Sequence, residues 1–154
     1  MPNNNGNWVS PVEFYFQVQF HLGSQPVTAS FMEVSGLDVE ITLQETNLMG
    51  SDGVKIKLPQ AVTHGNITLK RALEPLSEKL SEWANKCLGF MMNGFISPCD
   101  MIISLMDSNQ QAVASWVCTR AYPVKWNLAT LDAQKSGLAI ETMTIAYNLL
   151  ERKK

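Results

Sequence analysis

Two histidines, His21 and His64, are the only side chains in the sequence that could serve as imidazole bases near neutral pH. Nucleophilic catalysis needs such a base within hydrogen-bond reach of a hydroxyl or thiol, and a third group that orients the base. His21 belongs to the polar face of a predicted strand, and His64 precedes Gly65 in a predicted turn. No third partner can be nominated for either ring, so the sequence predicts a protein that is not an enzyme.

Three cysteines, Cys87, Cys99 and Cys118, could supply thiolates for catalysis or metal binding. Their odd number and the lack of any C-x-x-C pair argue against a disulfide framework and a zinc site. Cys99 follows a Ser-Pro turn, where nothing nearby would lower its pKa. No pair of histidine, cysteine or carboxylate residues has the spacing of a metal site, and there is no glycine-rich phosphate loop. We therefore expect reduced, mostly buried thiols, no metal and no cofactor.

The composition indicates one globular domain, expected over residues 1–154. Charged residues make up 17% of the chain, below the roughly 25% of an average soluble domain. A surface with little charge is often one that meets another protein. The formal net charge of −2 gives no general attraction to nucleic acid or anionic lipid.

The N-terminal residues favour a flexible arm over 1–10, rich in asparagine and glycine. They lack the positive start and apolar run of a secretory signal. No segment approaches the roughly 18 apolar residues of a membrane span. We therefore expect a protein made in the cytoplasm without a signal peptide or a direct membrane anchor.

Period-2 alternation of apolar and polar side chains predicts a mainly β protein of about eight antiparallel strands, a barrel or sandwich. The first three strands are expected to form a meander, and Pro59 is expected to end the fourth because proline cannot donate to a ladder. The last strand carries apolar groups on both faces, which indicates that another chain covers one of its faces or its edge. The predicted strands cover 14–21, 27–34, 39–43, 54–58, 66–73, 101–107, 113–122 and 137–150.

One amphipathic helix is predicted from about Pro75 to Leu88, with proline near its first turn and Gly89 just past its end. Its apolar residues follow the 3.6-residue period. A single helix among strands should pack over one open end or face of the sheet structure. The fold class is therefore α+β, mainly β, with one flanking helix.

Residues 46–53 predict a long exposed loop that carries two apolar side chains, Leu48 and Met49. The two side chains could fold back onto the body of the protein, or they could dock on a neighbouring subunit. The sequence by itself gives these two interpretations equal weight.

Five segments in register resemble the inner tail-tube proteins of contractile phages and phage-tail-like contractile injection systems. Residues 31–37, FMEVSGL, resemble the F-x-E-V-S-G-L motif of that family. The other matching segments, in order, are KLP at 57–59, NITLKR at 66–71, Trp116 followed by AYPVKW at 121–126, and LAIETM at 138–143. Two places depart from the family: 127–133 reads NLATLDA where G-P-x-L-N-A is usual, and Met91-Met92 stands where a basic pair often follows the helix. These departures leave open a bulk tube subunit or the tube-initiator ring at the baseplate.

The resemblance implies a structural subunit that forms hexameric rings stacked into a tube, with a contractile sheath and baseplate proteins as partners. The lumen would carry a protein or DNA cargo. The particle would be a virion tail or injection device of bacterial origin, retained in the cytoplasm or released. Lys70 and Arg71 are candidate lumen residues, with acidic residues as the alternative lining. The candidate inter-subunit residues are Thr46, Asn47, Leu48, Met49, Ser51, Asp52, Lys55 and Lys57.

Two other functions compete with this interpretation. A small-ligand-binding β-barrel would need a closed cup with convergent polar groups inside. A hydrolase would need one of the two histidines, and it ranks last.

Overall fold

We describe a computed structural model of the chain, which covers residues 14–48, 50, 53–72, 78–89, 92, 94–129, 134 and 139–154. Ten strands and one helix lie within these residues. The predicted arm and the predicted start of the helix at Pro75 lie outside them. The elements are β1 (Tyr15–Phe20), β2 (Val27–Phe31), β3 (Glu33–Ser35), β4 (Glu40–Asn47), β5 (Lys55–Thr63), β6 (Ile67–Ala72), α1 (Glu78–Leu88), β7 (Cys99–Met106), β8 (Ala112–Leu128), β9 (Ile140–Ala146) and β10 (Leu149–Arg152).

Eight of the described strands form one antiparallel sheet in the order β2-β1-β7-β8-β9-β6-β3, with β10 paired to β8 beside this path. The predicted class, mainly antiparallel β with one helix, is confirmed. The path begins at β2 and ends at β3, and these are successive halves of one extended segment interrupted at Met32. The sheet therefore curls around a common interior without direct pairing between its two end strands.

The 17-residue strand β8 carries the sheet around a corner. Its first part pairs with β7 and its last part pairs with β9. At the corner Arg120 adopts a left-handed φ of 53°, and its backbone N–H donates to Asp100 Oδ1 at 3.2 Å. Two residues of β8 face one residue of β7 here, which is the geometry of a β-bulge and increases the local twist.

The interior of the curled sheet is filled by alternate side chains of its strands. Val18, Leu69, Ile103 and Ile145 are each fully buried. Helix α1 adds its apolar face to the same core: Trp83 lies 5.6 Å from Phe20 between ring centroids, and its indole N–H donates to the Ser97 carbonyl oxygen at 2.7 Å. The helical side chains in the core are Leu80, Trp83, Ala84 and Cys87.

The described strands β4 and β5 form a separate two-stranded ribbon, so the predicted meander of the first three strands is wrong beyond β2. Alternation of side chains shows that a strand has two faces, but it does not show which strand is its neighbour.

The predicted strand end at Pro59 is also wrong, because β5 continues through it to Thr63. The register shifts beside Pro59, and each strand of a ribbon has an outward edge, so a missing N–H is tolerated there. Of the predicted loop over 46–53, Thr46 and Asn47 belong to β4, whereas 49, 51 and 52 lie outside the described residues.

Gly36 is the glycine whose lack of a side chain the fold requires most clearly. Its φ is +88°, and a Cβ at this position would overlap the backbone carbonyl oxygen of Asn66. The close approach brings the end of β3 against the start of β6, its hydrogen-bonded neighbour.

Gly36→Ala should therefore destabilise the protein by about 3 kcal/mol or more, from backbone strain and steric overlap together. Gly65→Ala is the matched control, because its added Cβ meets nothing within 4 Å, and it should cost less than about 1 kcal/mol. Urea unfolding of both variants measures the difference. Equal stability of the two would contradict the close approach at Gly36.

Candidate subunit-contact surface

The β4–β5 ribbon exposes an apolar face to solvent. In the ribbon register Ile41 is paired with Val62, and Leu43 is paired with Pro59. Ile41 and Val62 are 55% and 61% exposed. Val39, just before β4, is also exposed. We call Val39, Ile41, Leu43, Pro59 and Val62 the apolar ribbon face.

The same face becomes charged toward the hairpin end. Lys57 lies opposite Glu45 in the ribbon register, and Lys55 Nζ lies 4.0 Å from a Glu45 carboxylate oxygen. Both lysines are exposed. Such an exposed pair contributes at most about 1 kcal/mol in water.

The structure brings together the described members of the predicted inter-subunit set on this ribbon. Thr46 and Asn47 end β4, and Leu48, with its N–H donating to the Val54 carbonyl oxygen, starts the hairpin turn at 46% exposure. The remaining members, Met49, Ser51 and Asp52, lie outside the described residues. Their role as contacts stays a prediction.

The alternation of apolar and polar side chains over 39–43 predicted a half-buried strand of the main sheet. The structure leaves these apolar side chains in solvent, so the apolar ribbon face was missed as a candidate surface. An isolated two-stranded hairpin is marginally stable in water. A contiguous exposed apolar patch commonly marks a protein-binding surface.

The two predicted lumen residues have different environments. Lys70 is partly exposed, and its ammonium lies 3.4 Å from a Glu33 carboxylate oxygen. Arg71 is 7% exposed, and its Nε donates to Glu141 at 2.8 Å. A lumen role for Lys70 stays a prediction, whereas one for Arg71 would require this buried pair to open.

Glu141 is the centre of a small buried network. Besides Arg71, the indole N–H of Trp126 donates to its other carboxylate oxygen at 2.5 Å. The Arg71 guanidinium lies 5.5 Å from the centroid of the Phe31 ring. One terminal guanidinium nitrogen, Nη2 of Arg71, is buried and has no hydrogen-bond partner among the described residues. The network joins β6, β8, β9 and the end of β2.

The two histidines lie in different environments. His21 is exposed just after β1. His64 stacks on Tyr147 with ring centroids 4.0 Å apart, and its Nδ1 and Nε2 lie 3.0 and 2.9 Å from the carbonyl oxygens of Gly65 and Asn148. Backbone carbonyls are neither nucleophiles nor orienting carboxylates, so this ring acts as a clamp between two loops.

The three cysteines are free and buried, as predicted. Burial raises the pKa of Cys99 and Cys118 to about 12, and burial also raises the pKa of Cys87. A neutral, enclosed thiol is a poor nucleophile. Across the described ranges, no group of three histidine, cysteine or acidic side chains is placed to hold a metal ion. No helix in the described part of the chain reaches the length and apolarity that crossing a bilayer requires.

The sequence matches one family model, described as T4-like virus tail tube protein gp19, over residues 12–151. The match spans the main sheet, the β4–β5 ribbon and α1. A comparison with curated protein sequences finds no significant match.

Several solved structures share the fold. A chain in the cryo-EM structure of the anti-feeding prophage baseplate is 21% identical with a TM-score of 0.73, covering 96% of this chain and 95% of that chain. A chain of the PVC sheath-tube complex, from an extracellular contractile injection system in the extended state, is 22% identical with a TM-score of 0.71, covering 90% and 87%. Hcp1 from Flavobacterium johnsoniae is 16% identical with a TM-score of 0.56, covering 90% and 94%. At such identities the likeness concerns the fold.

Glu141→Gln should destabilise the chain by roughly 3–5 kcal/mol, because it leaves the Arg71 charge buried without its carboxylate. The double variant Arg71→Met with Glu141→Leu should lower the free energy of unfolding by less than the single variant does. It removes both charges and the unpaired Arg71 Nη2 together. Chemical denaturation of the three proteins gives the comparison. A single variant as stable as the natural chain would contradict the buried pair.

The raised thiol pKa values predict that the folded chain at pH 8 reacts with a thiol reagent far more slowly than the chain in guanidinium, where three thiols react. Because folding keeps these thiols neutral, their contribution to stability is complete below the ordinary value of 9.0 and falls as the pH rises from there toward about 12. Thermal melts between pH 8 and 11 measure this loss. As a control for access, Ser24→Cys should add one fast-reacting thiol.

Proposed function

The chain belongs to the T4-like virus tail tube protein gp19 family, and from this premise we propose that it is the structural subunit of an inner tube built from stacked hexameric rings. The observation that carries the proposal is the apolar ribbon face. None of the described residues forms a layer over this face, and covering it with a second copy would add stability.

Burial supplies enough free energy for a ribbon contact. Four large side chains of the apolar ribbon face, Val39, Ile41, Leu43 and Val62, are about half exposed. Covering a Val, Leu or Ile side chain completely is worth roughly 1.5–3 kcal/mol, so the remaining half on each is worth about 1 kcal/mol. Several kcal/mol per subunit, repeated around a ring, favours a closed polymer over dispersed monomers.

Strand edges offer a second route to assembly. Within the described residues, the last part of β8 is paired only with β9, and β10 is paired only with β8. Unpaired N–H and C=O groups on an edge favour pairing with a strand of another chain. The charged residues of β10, Glu151 and Arg152, discourage that pairing at β10 and leave the β8 edge as the favourable one.

Mechanical transmission is the proposed activity, without a chemical step. A tube that is pushed through an envelope by a contracting sheath must resist bending and local unfolding, and tight packing supplies that resistance. The solved neighbours come from a baseplate and a sheath-tube complex. We accordingly infer sheath and baseplate proteins as partners, and a protein or DNA cargo in the lumen near Lys70.

A small-ligand barrel is disfavoured by the contents of the sheet interior. Phe20, Leu69, Met101 and Ile145 fill it and are fully buried. A cup for a ligand needs an open interior with a few convergent polar groups. A tube-initiator ring at the baseplate would share the fold and the apolar ribbon face, and it remains an alternative within the same family.

Ile41→Asp combined with Val62→Asp should leave a folded monomer that forms no rings or tubes, because two charges would have to be buried in the contact. Gln44→Asp is the matched control, since Gln44 is exposed on the opposite face of the same strand, and it should assemble like the natural chain. Deletion of 48–52 should also give a folded monomer. Negative-stain microscopy and size-exclusion chromatography measure the outcome.

Intact tubes from the double aspartate variant would refute the ribbon contact. A natural chain that stays monomeric at high concentration, even with its baseplate template, would refute the tube itself.

A further inference from the structure

Among the described residues, two short segments connect the β4–β5 ribbon to the main sheet. Segment 36–39 leads into β4, and segment 64–66 leads from β5 to β6. We call these two segments the ribbon root. No described strand of the main sheet pairs with β4 or β5, and neither ribbon strand contributes a side chain to the described core. The contacts of the ribbon root therefore bear on the direction in which the ribbon leaves the sheet.

His64 fastens the ribbon root to the turn between β9 and β10. Its ring stacks on Tyr147 with ring centroids 4.0 Å apart and an interplanar angle of 10°. In the tautomer that carries the proton on Nε2, the ring also donates to the Asn148 carbonyl oxygen at 2.9 Å. His64 and Asn148 are 84 residues apart in sequence. These contacts tie the first residue after β5 to a turn that joins two strands of the main sheet.

The turn that receives the His64 ring is itself fixed to the main sheet. Tyr147 is 5% exposed and belongs to the hydrophobic core. The Asn148 backbone N–H donates to the carbonyl oxygen of Thr119 in β8 at 3.0 Å. An anchor with these two attachments moves with the main sheet, so a ring held on it restrains the ribbon root.

The segment that leads into β4 is held near the same place. Gly36 lies so close to the Asn66 carbonyl oxygen that an added Cβ would overlap it, which brings the two segments of the ribbon root together. Burial raises the pKa of Tyr147, and Cys118 and Asp38 raise it further. Asp38 therefore lies within electrostatic range of the phenol on which His64 stacks. Both segments of the ribbon root thus lie near Tyr147.

We infer that His64 is a positioning residue for assembly: its contacts with Tyr147 and Asn148 set the direction in which the apolar ribbon face is presented to a second copy. The inference rests on the proposed function, because it gives His64 a role in the contact between copies. A ribbon held in one direction loses less conformational freedom on binding than a ribbon that swings. The smaller entropy loss makes assembly tighter without any new contact.

Two spin labels measure the direction of the ribbon in the monomeric chain, kept below the assembly concentration. One label is attached at Lys57→Cys on the ribbon and the other at Ser24→Cys on the main sheet; both positions are exposed, whereas the native thiols are buried. Pulsed electron paramagnetic resonance should give one narrow distance distribution. His64→Ala should broaden it at least twofold, because the stacked ring and its N–H are lost. His21→Ala is the matched control, since His21 is exposed and lies outside the ribbon root, and the width should be unchanged.

A second pair of labels shows whether the effect is confined to the ribbon. Ser24→Cys with Asn127→Cys reports on the main sheet alone, and its distance distribution should keep its width in the His64→Ala chain. His64→Phe is a milder variant that keeps a ring on Tyr147 and loses the donor, and it should broaden the ribbon distance by less. Broadening of both label pairs by both variants would mean that His64 supports the whole fold, and would overturn the inference. An unchanged ribbon distance in both variants would overturn it as well.

Assembly of the unlabelled chains keeps this inference separate from the proposed function. The protein concentration at which rings or tubes form, measured by light scattering and negative-stain microscopy, should rise at least tenfold in His64→Ala and stay unchanged in His21→Ala. Unchanged assembly of the His64→Ala chain would overturn the positioning role and leave the tube standing. A ribbon distance that depends on His64 in a chain that forms no tubes would refute the tube and retain the clamp on the ribbon.

Discussion

One long strand holds the two halves of the main sheet together. Strand β8 pairs with β7 along its first part and with β9 along its last part. It therefore connects the described strands on its β7 side with those on its β9 side. The corner between these parts depends on Arg120 in a left-handed conformation, held by the Asp100 side chain. Because both halves share this strand, the core residues of β1 and β6 meet in one interior instead of forming two separate layers.

The β4–β5 ribbon stands apart from that construction, and this separation links the fold to the function. The main sheet buries its inward side chains and uses α1 to enlarge the same core. The ribbon has no comparable partner among the described residues and keeps Ile41, Leu43 and Val62 in solvent. A chain that places apolar side chains on a two-stranded ribbon gains little in the monomer. Under the proposed function, those side chains become favourable when copies meet.

The sequence predicted the class of fold, most strands, the helix and the buried thiols, because each of these is set by local periodicity or by composition. It did not predict the pairing partner of β4, since the alternation of Ile41 and Leu43 with polar residues is identical in a core strand and in an exposed ribbon. The predicted strand end at Pro59 was wrong for a related reason. The rule against proline in strands applies to central strands, and both strands of the ribbon have an outward edge. Arg71 beside Lys70 looked like a pair of exposed cations, but successive strand residues face opposite sides, and the Glu141 partner is 70 residues away.

Several polar and buried side chains of the described chain serve to fix backbone segments. Glu141 holds Arg71 and Trp126, His64 bridges the loop before β6 to the turn between β9 and β10, and the buried thiols fill space in the core. Charges and rings that are immobilised in this way raise the cost of local opening. The wall of the proposed tube would need that property at every copy. In the proposed tube, the same side chains would make each copy a rigid unit, and the apolar ribbon face would bind neighbouring copies.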